Sequence, residues 1–457
     1  MAIVALIYNK GIFMAFYLKK TKLKSRTYLS IDESFYSSKK KGTAHRCYKS
    51  LGSVETLISK GIADPIAHFQ KEVDALNQEK ANIGIPKISS KSPILHLGYF
   101  PLKSIMTKLS TKKYINYFKP NNDFQFEPYS LLSLLIYSKA VNPYSKTLPN
   151  LYAILPYSDY QILNFLSFIG NNYQKYVEIF TVQAKKIFNL DLTKTYLTQS
   201  NFETDSKPLT GLRLLLDGSQ IPIEMEIYTE EENTVGFDKK TIYVGSKGPN
   251  YIITKSEKEL SEEEKEWILR KRGWKEVRDK DGNPLYSLKS YITKSHPKEK
   301  YLIARRPNLL PTTSINSSFD NYDILLTSEI ELSDQEIYNT YRTLHNIKVT
   351  FKNMLSDLKT IPKNYQNKEV IKGHILICYL TILLERIFEV KILENQFEAE
   401  EIYHFMEDFR VVKSESKYVN LATETTFIKE LSTKLKQPLT NYFLSETQIK
   451  AILNQRR

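Results

Sequence analysis

Near Leu192 the hydrophobic repeat of this chain changes from the helical to the strand period, and near Ser333 it changes back. Between about Leu97 and Gln183, apolar residues recur every three to four positions, as in EPYSLLSLLIYSKAVNP and SDYQILNFLSFIGNNYQKYVEIFTVQAKKIF. Pro128, Pro143 and Pro149 punctuate that region. From Leu192 the segments TKTYLTQSNFE, GLRLLLDG, IPIEMEIY, KTIYVGS, YIITKS, PLYSLKSYI and NYDILLTSEI alternate or run apolar at strand length. Asp217-Gly218-Ser219-Gln220 and Asp281-Gly282-Asn283-Pro284 read as turns, and the stretch from His296 to Ser318 carries no clear pattern. Ser333 with Glu336 then forms a capping box, followed by an apolar stripe from Ile337 through Tyr341, Leu344, Ile347, Phe351 and Met354 to Leu358. Strands followed by long helices imply an α/β core with a mixed sheet and helical flanks.

Around that core, Ser53 to Asn82 reads as a helix or helix pair and IPKISSKSP as a linker. SEEEKEWILRKRG is a short helix boxed by Ser261 and Glu264, and a further helix covers about Lys372 to Leu393. The C-terminal part reads as helix, loop and helix. At 457 residues several domains are expected. The segments are residues 1–13, a possible upstream extension with Met14 as the start; 14–90, a basic β and helix module; 91–190, helical; 191–393, the α/β core; and 394–457, helical.

The formal net charge is +14. Such an excess favours a polyanionic partner, most simply nucleic acid, although a Lys-rich surface from an AT-rich coding sequence explains it equally well. The excess is densest from Lys19 to Lys49, where Lys19, Lys20, Lys22, Lys24, Arg26, Lys39, Lys40, Lys41, Arg46 and Lys49 face only Asp32 and Glu33. Aromatic and β-branched residues interleave there (RTYLSI, SFYSS, then the KKKGT turn), as in a small β unit with a basic face. Arg305 and Arg306 make a second basic point. Cys47 and Cys378 give no disulfide framework, and the seven histidines have no metal-ligand spacing, so a reducing cytoplasm is the simple expectation. The longest apolar run, Ile375–Leu384, is short of a bilayer span and reads as a buried helix, so no membrane partner is expected.

Several of these segments, in order, resemble one family. RCYKSLG (Arg46–Gly52), FEPYSLLSLLIYSKAVNP (Phe126–Pro143), GLRLLLDGSQIPIEMEIY (Gly211–Tyr228), TIYVGSKGPN (Thr241–Asn250), IYNTYRTLHNIKVTFKNMLSDL (Ile337–Leu358) and GHILICYLTILLERIFE (Gly373–Glu389) are similar to the DDE transposases of bacterial insertion sequences, in the branch with a Tyr-Arg-Glu-Lys helix signature. The resemblance implies a ribonuclease-H-like core (three antiparallel strands, two more strands, then the capped helix) preceded by DNA-binding segments. It implies double-stranded DNA at element ends as partner, a possible homo-oligomer, and two Mg²⁺ ions held by two Asp and one Glu to drive phosphoryl transfer.

This chain departs from the pattern at every acidic position. Anchored on Phe202-Glu203, the first Asp position is Tyr196; the second, in VGSKGPN, is Ser246; the Glu, seven residues after Tyr341, is Lys348. The signature Arg and Lys positions hold Leu344 and Leu355. Glu203, Asp205 and Asp217 are the nearby acids that could substitute, Asp217 more simply as a turn residue. Connections around the core are short, with TEEENTVGFDKK alone before the Ser246 strand. The expectation is a transposase-like protein that binds DNA, is catalytically inactive and holds no cofactor. The alternatives are an active transposase with displaced ligands and a non-enzymatic factor occupying element ends.

Overall fold

A computed structural model of the chain describes residues 16–23, 25–37, 42–84, 92–117, 124, 126–141, 157–201, 211–228, 240–278, 282–292, 296–306, 319, 321–355, 367–414 and 417–454. Lys24, Lys39, Lys40, Lys41, Glu203, Asp205 and the segment before Met14 lie outside them. The chain is mixed α/β and divides into two compact units, Met1–Pro93 with Lys413–Val419, and Ile94–Val412 with Asn420–Arg457. Among the described residues no helix is long and apolar enough to cross a membrane.

In the first unit, β1 (Phe16–Leu23), β2 (Arg26–Ser37) and β3 (Gly42–Ser53) form an antiparallel meander. RTYLSI and SFYSS are thus parts of one strand, and the hairpin partner of its first half is β1. Ser53 ends β3 and caps α1 (Val54–Ser59) by accepting a hydrogen bond from the Thr56 amide. α2 (Pro65–Gly84) follows. Leu29, Leu57 and Phe69 make the small core, with Leu18, Leu51, Val54, Ile62 and Ile66 against it. Asn77 ties α2 to β1 by both donating to and accepting from the Phe16 backbone.

The second unit begins with β4 (Ile94–His96), α3 (Phe100–Lys108), α4 (Thr111–Tyr117), α5 (Pro128–Val141), α6 (Asp159–Asn171) and α7 (Tyr173–Phe188). A capping box of Ser158 and Gln161 starts α6. The sheet strands are β5 (Thr195–Asn201), β6 (Gly211–Leu216), β7 (Pro222–Tyr228), β8 (Thr241–Val244) and β9 (Asn250–Thr254). After α8 (Glu262–Leu269) come β10 (Lys275–Arg278), β11 (Pro284–Ile292), β12 (Lys300–Arg305) and β13 (Tyr322–Thr327). α9 (Asp334–Leu355) starts at the Ser333–Glu336 box, in which each side chain bonds the other's backbone amide. α10 (Lys368–Ile387), α11 (Ala399–Asp408), β14 (Arg410–Ser414), β15 (Lys417–Asn420), α12 (Thr426–Leu435), β16 (Phe443–Leu444) and α13 (Glu446–Leu453) follow. β14 pairs antiparallel with β4, His96 opposite Arg410.

The nine-stranded sheet runs β10-β11-β12-β13-β9-β8-β5-β6-β7. β5 is antiparallel to β6, and β6 to β7, whereas β8 lies parallel to β5 and β9 parallel to β8. β10 to β13 extend the sheet beyond β9 as an antiparallel ladder. β12, inside the stretch read as unpatterned, is short and almost wholly buried, so it has no alternation to read. A parallel crossover ordinarily takes a dozen or more residues. Here residues 245–249 alone connect β8 to β9, and the pair is correspondingly short, Ile242, Tyr243 and Val244 opposite Asn250, Tyr251 and Ile252. Two glycines make the link: Gly245 has φ +86°, and a Cβ on Gly248 would stand 2.3 Å from the Tyr243 ring.

α10 is buried along nearly its whole length, as its apolar run requires. It meets α6 through two glycines. A Cβ on Gly373 would lie 2.0 Å from the Leu166 carbonyl oxygen, and one on Gly170 would lie 1.8 Å from that of Glu369. The C-terminal end of α9 is fixed from two sides, where buried Lys139 donates to the Met354 carbonyl at 2.8 Å and His374 Nε2 lies 3.2 Å from it. A cation there complements the helix dipole.

Candidate functional site

The parallel register of β5 and β8 decides which residues can meet. Tyr196 is opposite Ile242 and Thr198 is opposite Val244, so the same register carried two residues on sets Ser200 level with Ser246. Tyr196 is four residues short of that level, about 13 Å along the strand. The expectation that Tyr196, Ser246 and Lys348 share one spot is therefore corrected. Counting back from Phe202-Glu203 fixes a position in sequence, whereas the pairing of two distant strands fixes it in space. Tyr196 is buried and hydrogen-bonds with Thr340 of α9; its phenol is pushed up by burial, and the Thr340 bond opposes this. Thr340 also accepts from Gln220 Nε2 at 3.3 Å.

Lys348 reaches the turn that holds Ser246. The Lys348 ammonium stands 4.0 Å from the place a Gly245 Cβ would occupy, at the turn leaving β8. Burial pushes its pKa down, and the charge of Lys352 one turn along α9 adds to this. The Ser246 hydroxyl is buried without a hydrogen-bond partner among the described residues. The side chains of Leu344 and Leu355 belong to the core. Tyr341 packs beside Tyr338 and His345, with ring centroids 6.4 and 5.6 Å away.

Three described acids of the sheet and its turns are engaged elsewhere. Asp323 accepts from the Tyr338 hydroxyl and from Arg306, each at 2.8 Å. Glu299 accepts from the Tyr251 hydroxyl. Asp217 is fully buried, and its carboxylate accepts from the backbone amides of Asp191, Ser219 and Ile221. Burial pushes it up while those amides pull it down. It is the organising residue of the β6–β7 turn. Among the described residues, no group of three or more His, Cys, Asp and Glu side chains is placed to hold a metal ion.

The basic residues of the first unit do not line one face. Lys19 pairs with buried Asp32 at 3.0 Å, Arg46 with buried Glu33 at 2.6 Å, and Lys49 with Glu72 of α2 at 2.6 Å. Lys49 is on the helix-covered side of the sheet and Lys19 on the opposite side. Lys20, Lys22 and Arg26 are exposed around the β1–β2 hairpin. In the second unit Arg305 stacks on Trp274, 4.9 Å from the ring centroid, while Arg306 is the partner of Asp323; both keep exposed surface.

One site escaped the sequence reading. A cleft of about 1000 Å³ runs between α9, α10 and α11, lined in part by Arg342, Glu385, Arg386, Glu389, Glu398 and His404. Glu385 is buried with its Oε1 unpartnered, and burial holds its carboxyl well above the ordinary range, with the charge of Glu389 adding to this. Its position inside the run LLERIFE marks it only as the end of a buried helix.

No protein-family model matches the chain, and no curated protein matches it.

Proposed function

We propose that this protein is a transposase-like DNA-binding protein with a ribonuclease-H-like core that does not cut DNA. The reading rests on one observation: three antiparallel strands β5, β6 and β7, with β8 and β9 joining parallel on the other side of β5, and the capped helix α9 bringing Lys348 to the end of β8. That is the element order the resemblance implies, with β10 to β13 inserted before the helix. Metal chemistry at this point needs hard oxygen ligands. The residues present do not fit such a pair of ions. Ser246 is a neutral hydroxyl and Lys348 an ammonium, Ser200 is the residue of β5 at their level, and Asp217 is spent on its turn. The reading with displaced ligands has no candidate cluster among the described residues.

The function is tested with purified full-length protein and duplex DNA. Binding should weaken steeply as salt rises, because contacts to phosphate release counterions. Incubation with Mg²⁺ or Mn²⁺ should leave element-end DNA uncut and unjoined. Metal-dependent cleavage above that of a metal-free control would overturn the inactive reading, and absence of salt-sensitive binding would overturn the DNA-binding one.

A further inference from the structure

We propose that the cleft between α9, α10 and α11 is a binding site for a primary alkylammonium ion, with Glu385 as its counter-ion. It owes nothing to the DNA reading above.

The cleft is acidic in a chain that is basic. Five glutamates and three arginines line it, whereas the whole sequence carries a formal charge of +14. All three arginines are already paired. Arg342 meets Glu398 at 3.4 Å, Arg386 meets Glu389, and Arg278 meets Glu276, which is not part of the lining. Glu385 has no ion-pair partner among the described residues, and its neighbour in sequence, Arg386, is committed to Glu389 and to the carbonyls of Ser219 and Gln220.

Glu385 is the group that points to a ligand. It lines the cleft although it is only 9% exposed. One carboxyl oxygen is hydrogen-bonded by Tyr403 of α11, another lining residue, and the second, Oε1, has no partner among the described residues. Such an orphan calls for an explanation. Glu389, one turn further along α10, adds its own negative charge.

The chemistry of the ligand follows from what Glu385 lacks, which is a positive charge. A metal ion needs several ligands at one point, and no three acidic, His or Cys side chains converge to hold one among the described residues. A guanidinium pairs best with both oxygens of a carboxylate, and Tyr403 already occupies one. An ammonium is a point charge that one oxygen can receive. Contact with Oε1 takes a rotamer change of Glu385, an ordinary adjustment on binding. The cleft, about 1000 Å³, has room for the alkyl chain, with Ile347, Ile382 and Phe397 among its apolar walls.

Isothermal titration calorimetry on the full-length protein tests the site, with cadaverine and Nα-acetyl-lysine amide as probes and n-pentanol as the uncharged control. Both amines should bind and pentanol should not. Glu385→Gln should weaken cadaverine roughly tenfold or more, whereas Glu263→Gln, on the exposed side of α8, should leave it unchanged. Binding should tighten from pH 6 to pH 8 and release a proton, because the raised carboxyl of Glu385 must ionise to pair with the cation. Both effects should vanish in Glu385→Gln, whose unfolding midpoint shows that it is folded. Tighter binding of the lysine amide than of cadaverine would assign the site to a lysine side chain of a partner, and the reverse to a free amine. Absence of amine binding, or binding that Glu385→Gln leaves intact, would overturn the proposal.

Discussion

The Gly170–Gly373 contact offers a direct test of how α10 is seated. In Gly373→Ala the new Cβ would meet three backbone atoms of Leu166, at 2.0, 2.7 and 3.0 Å. Ordinary contact begins at 3.4 Å, and backbone cannot swing aside as a flexible side chain can. α6 and α10 must separate, and every apolar contact along their shared length loosens with them. Overpacking of this kind costs about 1–3 kcal/mol. Alanine returns about 0.8–1 kcal/mol through its better helix propensity. Because the obstacle is backbone, the upper part of the range applies, and the net loss should be about 2 kcal/mol, a fall in Tm of roughly 2–3 °C. Thermal and denaturant unfolding followed by circular dichroism measure it. Gly170→Ala should behave alike, and the double variant should lose less than the sum, since one displacement relieves both clashes. A Tm equal to or above that of the parent, as propensity alone requires, would refute the close approach of these helices.

Two further predictions concern buried titratable groups. Glu385→Gln should raise stability, and the gain should grow with pH. The folded pKa of Glu385 is raised, so its contribution is whole below the unfolded carboxyl pKa and is lost as pH rises through the folded one. Denaturant midpoints at pH 6 and 8 check the trend, and a gain that shrinks with pH would contradict it. His374 is held down to about 3, first by burial and then by the charge of Lys139. Its contribution is whole above the unfolded histidine pKa and is lost as pH falls from there towards the folded value, by on the order of 2 kcal/mol between pH 6.5 and 5. His374→Gln should flatten that slope, and an unchanged slope would show that the imidazole is not the titrating group.

What the sequence made legible was the local part of the fold. Ser333 and Glu336 announce α9 because a capping box is a contact between near neighbours, and the alternating strands of the core are visible for the same reason. β10 and β12 were not visible, being four and six residues long without a clean alternation. The N-terminal cations were visible as a charge excess, but not as a set divided between two sides of a meander by ion pairs to Asp32, Glu33 and Glu72. At the candidate site, Lys348 was picked out by spacing, and its ammonium stands at the turn leaving β8. Tyr196 was picked out in the same way and sits at the wrong level, because a parallel register between strands far apart in the chain leaves no trace in either strand's own sequence. Glu385 looked like any other residue of an apolar helix.

The nine-stranded sheet ends in β10 on one side and β7 on the other, and both limits carry charge. β10 is four residues, Lys275–Arg278, three of which are ionic. β7 exposes Glu224 and Glu226 between buried neighbours. If two copies were to dock β7 against β7, these carboxylates would be brought face to face, and like charges across a strand pair repel. Pairing of two copies through β7 is thereby disfavoured, even with Glu226 partly neutralised by Arg213.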